Sequence, residues 1–406
     1  MSTPAVAHVV PDNVNAARQQ VKTSDFFALC YLMLCNLAYT DEDSAQTAVQ
    51  QITKLLPTMP VPQGQVTGQW SLGWGPVASG DNSNLMYAAE FSDKASGLPV
   101  FSAVAIRGTD TKARPSGVLK QIIQDLDAQH QVVFPANNTT GSKIAEGTKF
   151  GLDILTAFHD KSGRTVDHYL NDFVAANPRA PIVVTGHSLG GCQTTVVATF
   201  LSGRLPAGTA IVPNSFAAPT AGNSAFIQLY EKTFHFCPRW YNPFDLVPMA
   251  FAGLGDIKGL WKQCKKPAPG VVKIIVDALE VLLKILHVNY SQQSPGDSRK
   301  LTAACRPPSV TAVSAAVSNQ AVAEIRALLQ NEVAKLRDEV KKLPVIGGLA
   351  AHELSFKISA DSFKHLAAWV SELLFQHSVL TGYWNAVKAS PGVAPIPNPF
   401  VKAAGA

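Results

Sequence analysis

The chain has 406 residues, 47% of them apolar and 16% charged, with a formal net charge of +5. That apolar share supports a sizeable core and excludes intrinsic disorder, and the length suits one large α/β domain with an insertion, or two domains. The charge is modest and no long basic run is present, so nucleic acid is not an expected partner.

Residues 1–22 are polar and lack the basic-then-apolar order of a secretory signal. They read as a loosely structured lead-in, and the expected location is the cytoplasm or, by a signal-independent route, outside the cell. Ser24 to Tyr39 reads as a helix with Ser24 as its N-cap. Its apolar run, Phe26 to Ala38, is too short to span a bilayer comfortably, so a buried helix is expected rather than a membrane anchor. The six cysteines, at 30, 35, 192, 237, 264 and 305, show no metal-ligand spacing. A bridge between Cys264 and Cys305 around a helical segment is conceivable, but free thiols are the expectation for a chain without an export signal.

Pro57 to Gly80, rich in Pro, Gly and Trp, reads as loop with short strands. Leu85–Phe91 and Val100–Ile106 are apolar runs joined by a polar turn, and they read as an antiparallel pair. Arg107-Gly108-Thr109-Asp110 follows at once. A Gly-Thr at a strand end can turn the backbone so that the Thr109 N–H faces a neighbouring site, as an oxyanion donor would; an ordinary polar strand end is the equal alternative. Lys112 to Leu126 places Val118, Leu119, Ile122, Ile123 and Leu126 at helical spacing, either as a lid over a site or as a helix packed on the sheet. Gly147–Phe158 and Val166–Ala176 are further helix candidates.

The strongest local pattern is Pro181-Ile-Val-Val-Thr-Gly186-His187-Ser188-Leu189-Gly190-Gly191. Ile182 to Thr185 reads as a short buried strand, and Gly190 to Leu205 can continue as a helix. Strand, glycine-framed serine and helix together make a G-x-S-x-G nucleophile elbow. The glycines let the two backbones pass without a Cβ clash, and the sharp turn lifts the Ser188 hydroxyl out of the sheet. The helix N-terminus favours negative charge there, and the Leu189 N–H can face an oxyanion.

Ala210–Phe216 and Phe234–Tyr241 read as two more strands, the second followed by Asn242-Pro-Phe-Asp245-Leu-Val-Pro248. Alternation of strands and helices argues an α/β fold with a mostly parallel sheet covered by helices, and ligands in such sheets bind beyond the carboxyl ends of strands. Thr109, Ser188 and Asp245 all fall at such ends. Residues 251–350 break the rhythm: Val271–Val288 and Val317–Leu343 carry apolar positions at helical spacing, as an inserted helical cap would. The expected organisation is a lead-in (1–22), a hydrolase domain made of 23–250 and 351–406, and the cap (251–350).

A serine hydroxyl needs a base to take its proton and a third group to orient that base. Asp245, just past a strand in a Pro-bounded turn, is the candidate orienter, against the plainer reading of an Asx-turn carboxylate capping its own backbone. Of the histidines that follow, His287 reads as a core histidine on an amphipathic helix, His352 as a polar helix start, and His365 as internal to a helix. His377 stands where a helix over Phe363–Phe375 gives way to a loop, a place from which an imidazole can reach both Ser188 and Asp245. The order Ser188, Asp245, His377 is that of α/β-hydrolases.

These residues resemble the fungal-type, or class 3, lipase family of the α/β-hydrolase superfamily. The resemblance rests on Arg107-Gly108-Thr109, Asp125-Leu126, Gly186 to Gly191, Phe216-Ala-Ala-Pro219-Thr-Ala-Gly222-Asn223, Tyr241 to Pro248, and His377-Ser378 with Tyr383. It covers about residues 85–250 and 363–384, and Asn36-Leu-Ala-Tyr39 is similar too. It implies a triacylglycerol lipase or related carboxylic ester hydrolase working at a lipid–water interface, with His377 as base and a lid after the oxyanion loop. Two positions depart from the family: Ala145-Glu146-Gly147 stands where a histidine is usual, and the span from Asp245 to His377 is longer. A phospholipase A1-type activity is the nearest rival, mildly favoured by the basic stretch Lys258 to Lys266. A membrane-inserting, toxin-like module is the more distant one, because Lys273, Asp277, Glu280 and Lys284 interrupt the apolar face it would need. No metal or organic cofactor is expected.

Overall fold

Two antiparallel and four parallel pairings build the central sheet of the computed structural model, which describes residues 10–39, 44–108, 130–135, 141–262, 264–304, 319–342 and 359–400. Its strands are β1 (Gly68–Ala78), β2 (Leu85–Asp93), β3 (Pro99–Ile106), β6 (Ile182–His187), β7 (Ile211–Phe216), β8 (Arg239–Tyr241) and β9 (Ser298–Lys300), in that spatial order. Strands β4 (Gln131–Val133) and β5 (Lys143–Ala145) form a separate small hairpin. From β3 onward every pairing is parallel, with Val104 beside Val184 and Val184 beside Pro213. Parallel strands need crossovers, and the crossover helices cover the faces, so β3, β6 and β7 are buried on both sides. The mostly parallel α/β architecture expected from the alternation is the one observed.

Two apolar cores lie on opposite faces of the sheet. One holds α1 (Asp12–Thr23), α2 (Ala28–Leu37), α3 (Ala45–Leu55) and the C-terminal α12 (Trp384–Lys388), with Phe27 edge-on to both Phe91 and Phe101. The other holds α4 (Glu146–Thr156), α5 (Val166–Ala176), α6 (Leu189–Ser202) and α7 (Ser224–Thr233). Helix α2 is apolar all round because it lies on the sheet beneath the C-terminal segment, and nine of its ten residues are buried. A third core joins α8 (Leu254–Ile257), α9 (Gly270–Ile285), α10 (Asn319–Lys342) and α11 (Leu366–His377) to Leu246 and Val247 of the loop after β8.

Several local expectations are corrected. The segment read as a loose lead-in contains α1, whose Val14, Ala17 and Val21 recur at helical spacing and are buried; buried Arg18 donates to the Pro99 carbonyl at 2.7 Å and 3.1 Å. Ser24 closes α1, with its hydroxyl on the Gln20 carbonyl, and does not cap α2, whose N-cap is Phe27. The Gly- and Pro-rich stretch read as loop with short strands carries one long strand instead, the eleven-residue edge strand β1; its breakers coincide with register shifts around Trp74, and bulges on an edge strand tolerate them. β8 is three residues long, not eight, because Pro238 just before it has no N–H for the ladder.

The insertion is not purely helical either. Ser298–Lys300 adds β9 to the edge of the main sheet, a strand too short and polar to show a pattern in the sequence, held by an Arg299–Asp25 ion pair of 2.8 Å. Cys264 is disulfide-bonded, against the expectation of free thiols, and its partner lies outside the described residues; Cys30, Cys35, Cys192 and Cys237 are free and buried. Thr109, the 110–126 segment, Cys305 and His352 also lie outside the described residues.

Candidate active site

Ser188 occupies the single residue between β6 and α6, at φ 60° and ψ −129°. That conformation costs a side-chain-bearing residue about 1–3 kcal/mol and persists only when its surroundings over-determine it. Here they do. The Ser188 N–H is held by the Phe216 carbonyl at 3.0 Å, and its carbonyl by the Cys192 N–H at 3.1 Å. A Cβ on Gly186 would lie 2.1 Å from the Gly190 oxygen, and one on Gly190 would lie 2.4 Å from the Ile106 oxygen. Strand, turn, helix and the end of β3 are therefore in backbone contact at the positions where glycine stands. A Cβ on Gly108 would come within 3.1 Å of the Ser188 Cβ, so the end of β3 passes beside the serine. Leu189 is the first residue of α6, and its N–H has no intrahelical acceptor, so it stays available at the positive end of the helix dipole.

His377 Nε2 stands 2.8 Å from Ser188 Oγ, and His377 Nδ1 stands 2.8 Å from Asp245 Oδ2. With Asp245 ionised, Nδ1 carries the proton and donates to it, which leaves Nε2 to accept from the serine hydroxyl. Ser188 and His377 are 3% and 5% exposed and Asp245 is fully buried, so these contacts act with little competition from water. His377 is the last residue of α11, one step short of the loop expected for it, and a π-helical turn over Val379–Tyr383 follows. His287 is exposed at φ 52° beyond α9, rather than packed in the core, and His365 is an exposed left-handed residue preceding α11 rather than internal to it.

Asp245 does both things weighed for it. Oδ1 accepts the Val247 N–H at 3.0 Å, as an Asx turn would, while Oδ2 takes His377 and the Tyr383 hydroxyl, each at 2.8 Å. Tyr383 O in turn accepts the Asn242 N–H at 3.1 Å. Burial pushes the Tyr383 hydroxyl well above its ordinary range and the Asp245 charge adds to this, so Tyr383 remains a donor. Arg239, itself buried, donates to the Pro248 carbonyl at 2.8 Å across the same turn.

His187 is a site residue that reading the motif passed over. Its Nε2 lies 2.8 Å from the His377 carbonyl oxygen and must donate to it. The Tyr39 hydroxyl, 3.3 Å from His187 Nδ1 and 3.2 Å from the His187 carbonyl, closes the other side. Burial, seconded by His377, holds the His187 pKa well below its ordinary value. The ring is therefore neutral, and it fixes the His377 backbone without placing a cation beside that imidazole. The only hint in the sequence is the histidine adjacent to the serine; its partner is 190 residues away.

A cavity of about 210 Å³ opens beside His377, lined by Leu373, Leu374, Val379 and Leu380 together with Asn36, Tyr39 and His187. Among the described residues no group of three or more His, Cys, Asp or Glu is placed to hold a metal ion, and no helix is long and apolar enough to cross a membrane.

The model of the family described as "Lipase (class 3)" matches residues 103–254, a span that runs from β3 past Asp245. Among solved structures, M37 lipase is 20% identical over 89% of this chain and 100% of its own, with a TM-score of 0.56, and shares the fold. Lipase II from Rhizopus niveus is 16% identical over 58% of this chain and 75% of its own, at a TM-score of 0.38. A triacylglycerol lipase described as having a serine protease triad at its catalytic centre is 18% identical over 55% and 73%, at 0.39. No curated protein matches the chain. The resemblance to class 3 lipases holds over residues 103–254, and the α/β architecture expected for it is the one observed.

Proposed function

Taking residues 103–254 as a class 3 lipase segment, we propose that the protein is a serine carboxylic ester hydrolase, a triacylglycerol lipase or esterase, acting through an acyl-enzyme on Ser188. The observation that carries this reading is the unbroken line Ser188–His377–Asp245 on a strained turn at a helix N-terminus. His377 Nε2 takes the hydroxyl proton as Ser188 Oγ attacks the ester carbonyl carbon, and Asp245 stabilises the imidazolium that forms. The Leu189 N–H, with that of Thr109 as its partner in this reading, donates to the tetrahedral oxyanion. Collapse of the intermediate expels the alcohol, protonated by His377. Water, deprotonated by the same imidazole, then releases the acid and restores the serine.

An apolar acyl or alcohol chain suits the leucine and valine walls beside His377. The argument for phospholipid from the basic stretch is weakened, because Lys258 is paired with Asp277 and Glu280, and Lys266 is buried against Glu372. Membrane insertion by α9 is disfavoured too, since Val271, Ile275, Val276, Leu282 and Leu283 face the third core. The test compares wild type with Ser188→Ala on short p-nitrophenyl esters, emulsified triacylglycerol and phospholipid vesicles. We expect hydrolysis by wild type, strongest on an uncharged ester, and a loss of about 10³-fold or more in the variant. Retention of activity by Ser188→Ala would refute the acyl-enzyme, and a preference for vesicles would move the substrate to phospholipid.

A further inference from the structure

Building on the proposed serine mechanism, we propose that the insertion holds the Asp245–His377 pair in register and that Lys266 is its positioning residue. Lys266 lies between α8 and α9 and forms an ion pair with Glu372 of α11, both side chains being buried. From that pair a line of hydrogen bonds, carried through Asn242 by its own covalent frame, runs to the site. Gln376 Nε2 donates to Glu372 Oε1 at 2.7 Å, and Asn242 Nδ2 donates to Gln376 Oε1 at 2.7 Å. The Asn242 N–H donates to the Tyr383 oxygen at 3.1 Å, and the Tyr383 hydroxyl donates to Asp245 Oδ2 at 2.8 Å. Gln376 is the residue before His377, and Asn242 opens the turn that carries Asp245.

The direction of this line is set by the charge at its start. An ionised carboxylate only accepts, so Glu372, joined by the Ala304 carbonyl at 3.0 Å, turns the NH₂ of Gln376 toward itself and the amide oxygen toward Asn242. Asn242 then presents its own NH₂ to Gln376, which leaves Oδ1 to accept the Phe244 N–H at 2.9 Å. A buried carboxyl group with less counter-charge holds its proton more readily, and Lys266 is the cation set directly against Glu372. With Glu372 protonated, the Gln376 NH₂ keeps the Ala304 carbonyl but loses the charged acceptor, and the contact that holds the Asn242 turn before Asp245 loosens. The insertion grips both halves of the pair elsewhere as well. Trp261 Nε1 donates to the Phe244 carbonyl at 2.8 Å, and the Trp261 ring packs edge-on against Trp369 of α11 with centroids 5.2 Å apart.

The test is Lys266→Met beside Lys266→Arg in the full chain, on a soluble p-nitrophenyl ester, with activities scaled to folded protein by circular dichroism. For Lys266→Met we expect kcat to fall about tenfold or more with KM within about twofold, the pattern of an interaction felt only in the transition state. Lys266→Arg, which keeps the charge, should hold kcat near the wild-type value. If Lys266→Met does not fold, Gln376→Leu takes its place, since it breaks the line while leaving the ion pair intact, and the same fall in kcat at nearly unchanged KM is expected. A folded variant with wild-type kcat overturns the proposal, and so does equal damage in Lys266→Arg. Ser188→Ala measured in parallel separates the two readings. If it stays active, the serine mechanism fails; if it is dead while the folded Lys266→Met matches wild type, only the positioning role fails.

Discussion

Gly190→Ala should damage catalysis more than folding. A Cβ at Gly190 would sit 2.4 Å from the Ile106 oxygen and 2.8 Å from both the Arg107 carbonyl carbon and the Gly108 nitrogen. A comfortable carbon–oxygen approach is about 3.3 Å, so the start of α6 and the end of β3 must part by about 0.9 Å. All three obstacles are backbone, and no side chain can swing aside. Overpacking of this kind costs about 1–3 kcal/mol, while alanine in place of glycine returns up to about 1 kcal/mol of helix propensity. The net loss of stability is then at most about 3 kcal/mol, small enough to leave the protein folded. The same displacement falls between Ser188 with the Leu189 N–H on one side and the β3 end on the other. A misplacement of about 1 Å costs roughly 10²-fold in rate, close to 3 kcal/mol of barrier. The assay is kcat at saturating soluble ester together with a thermal melt. Gly203→Ala is the control, since its Cβ would meet nothing nearer than the Phe200 oxygen at 3.6 Å. A Gly190→Ala protein with kcat within about threefold of wild type would refute the argument that these backbones are in contact for the sake of the site.

Asp245→Asn keeps the shape of the turn but offers His377 Nδ1 an amide, which favours the wrong tautomer at Nε2. We expect kcat to fall about 10⁴-fold at neutral pH with little change in KM, and a fall under tenfold would remove Asp245 from the mechanism. His187 makes a thermodynamic prediction. Its pKa is depressed in the folded state by burial first and by His377 second, so below about pH 6.5 the unfolded chain takes up a proton that the folded chain refuses. This group's contribution is therefore intact above that pH and is lost as pH falls, by at most about 1.4 kcal/mol per unit. Melting temperatures recorded between pH 7 and 5 should drop less steeply in His187→Gln than in wild type; parallel curves would show that His187 is not the group responsible.

What was legible in the sequence is what neighbouring residues decide among themselves. The elbow could be read because a serine forced to φ 60° needs glycines on both sides and a helix directly behind it, and all of these lie within six residues. Helix α5 appears at the bounds its periodicity gives, Val166–Ala176, for the same reason. β1 and β9 were not legible: the first carries breakers that only an edge position tolerates, and the second is three polar residues whose pairing depends on β8 lying alongside. Asp245 was nameable as a carboxylate after a strand with His377 as its partner, but not the Val247 N–H and the Tyr383 hydroxyl that hold it in place. His187 was visible as a letter in a motif, but not as a donor to the carbonyl of a residue 190 positions away. Lys266 stood in a basic run and invited a reading as surface charge. Only the crossing of the insertion over α11 buries it against Glu372, 106 residues further along, and turns a solvated cation into the anchor of the hydrogen-bonded line that ends at Asp245. Periodicity and turn chemistry act over a few residues of chain and so are written there. Which buried charge meets which depends on how distant segments cross, and that is decided only when the chain has folded.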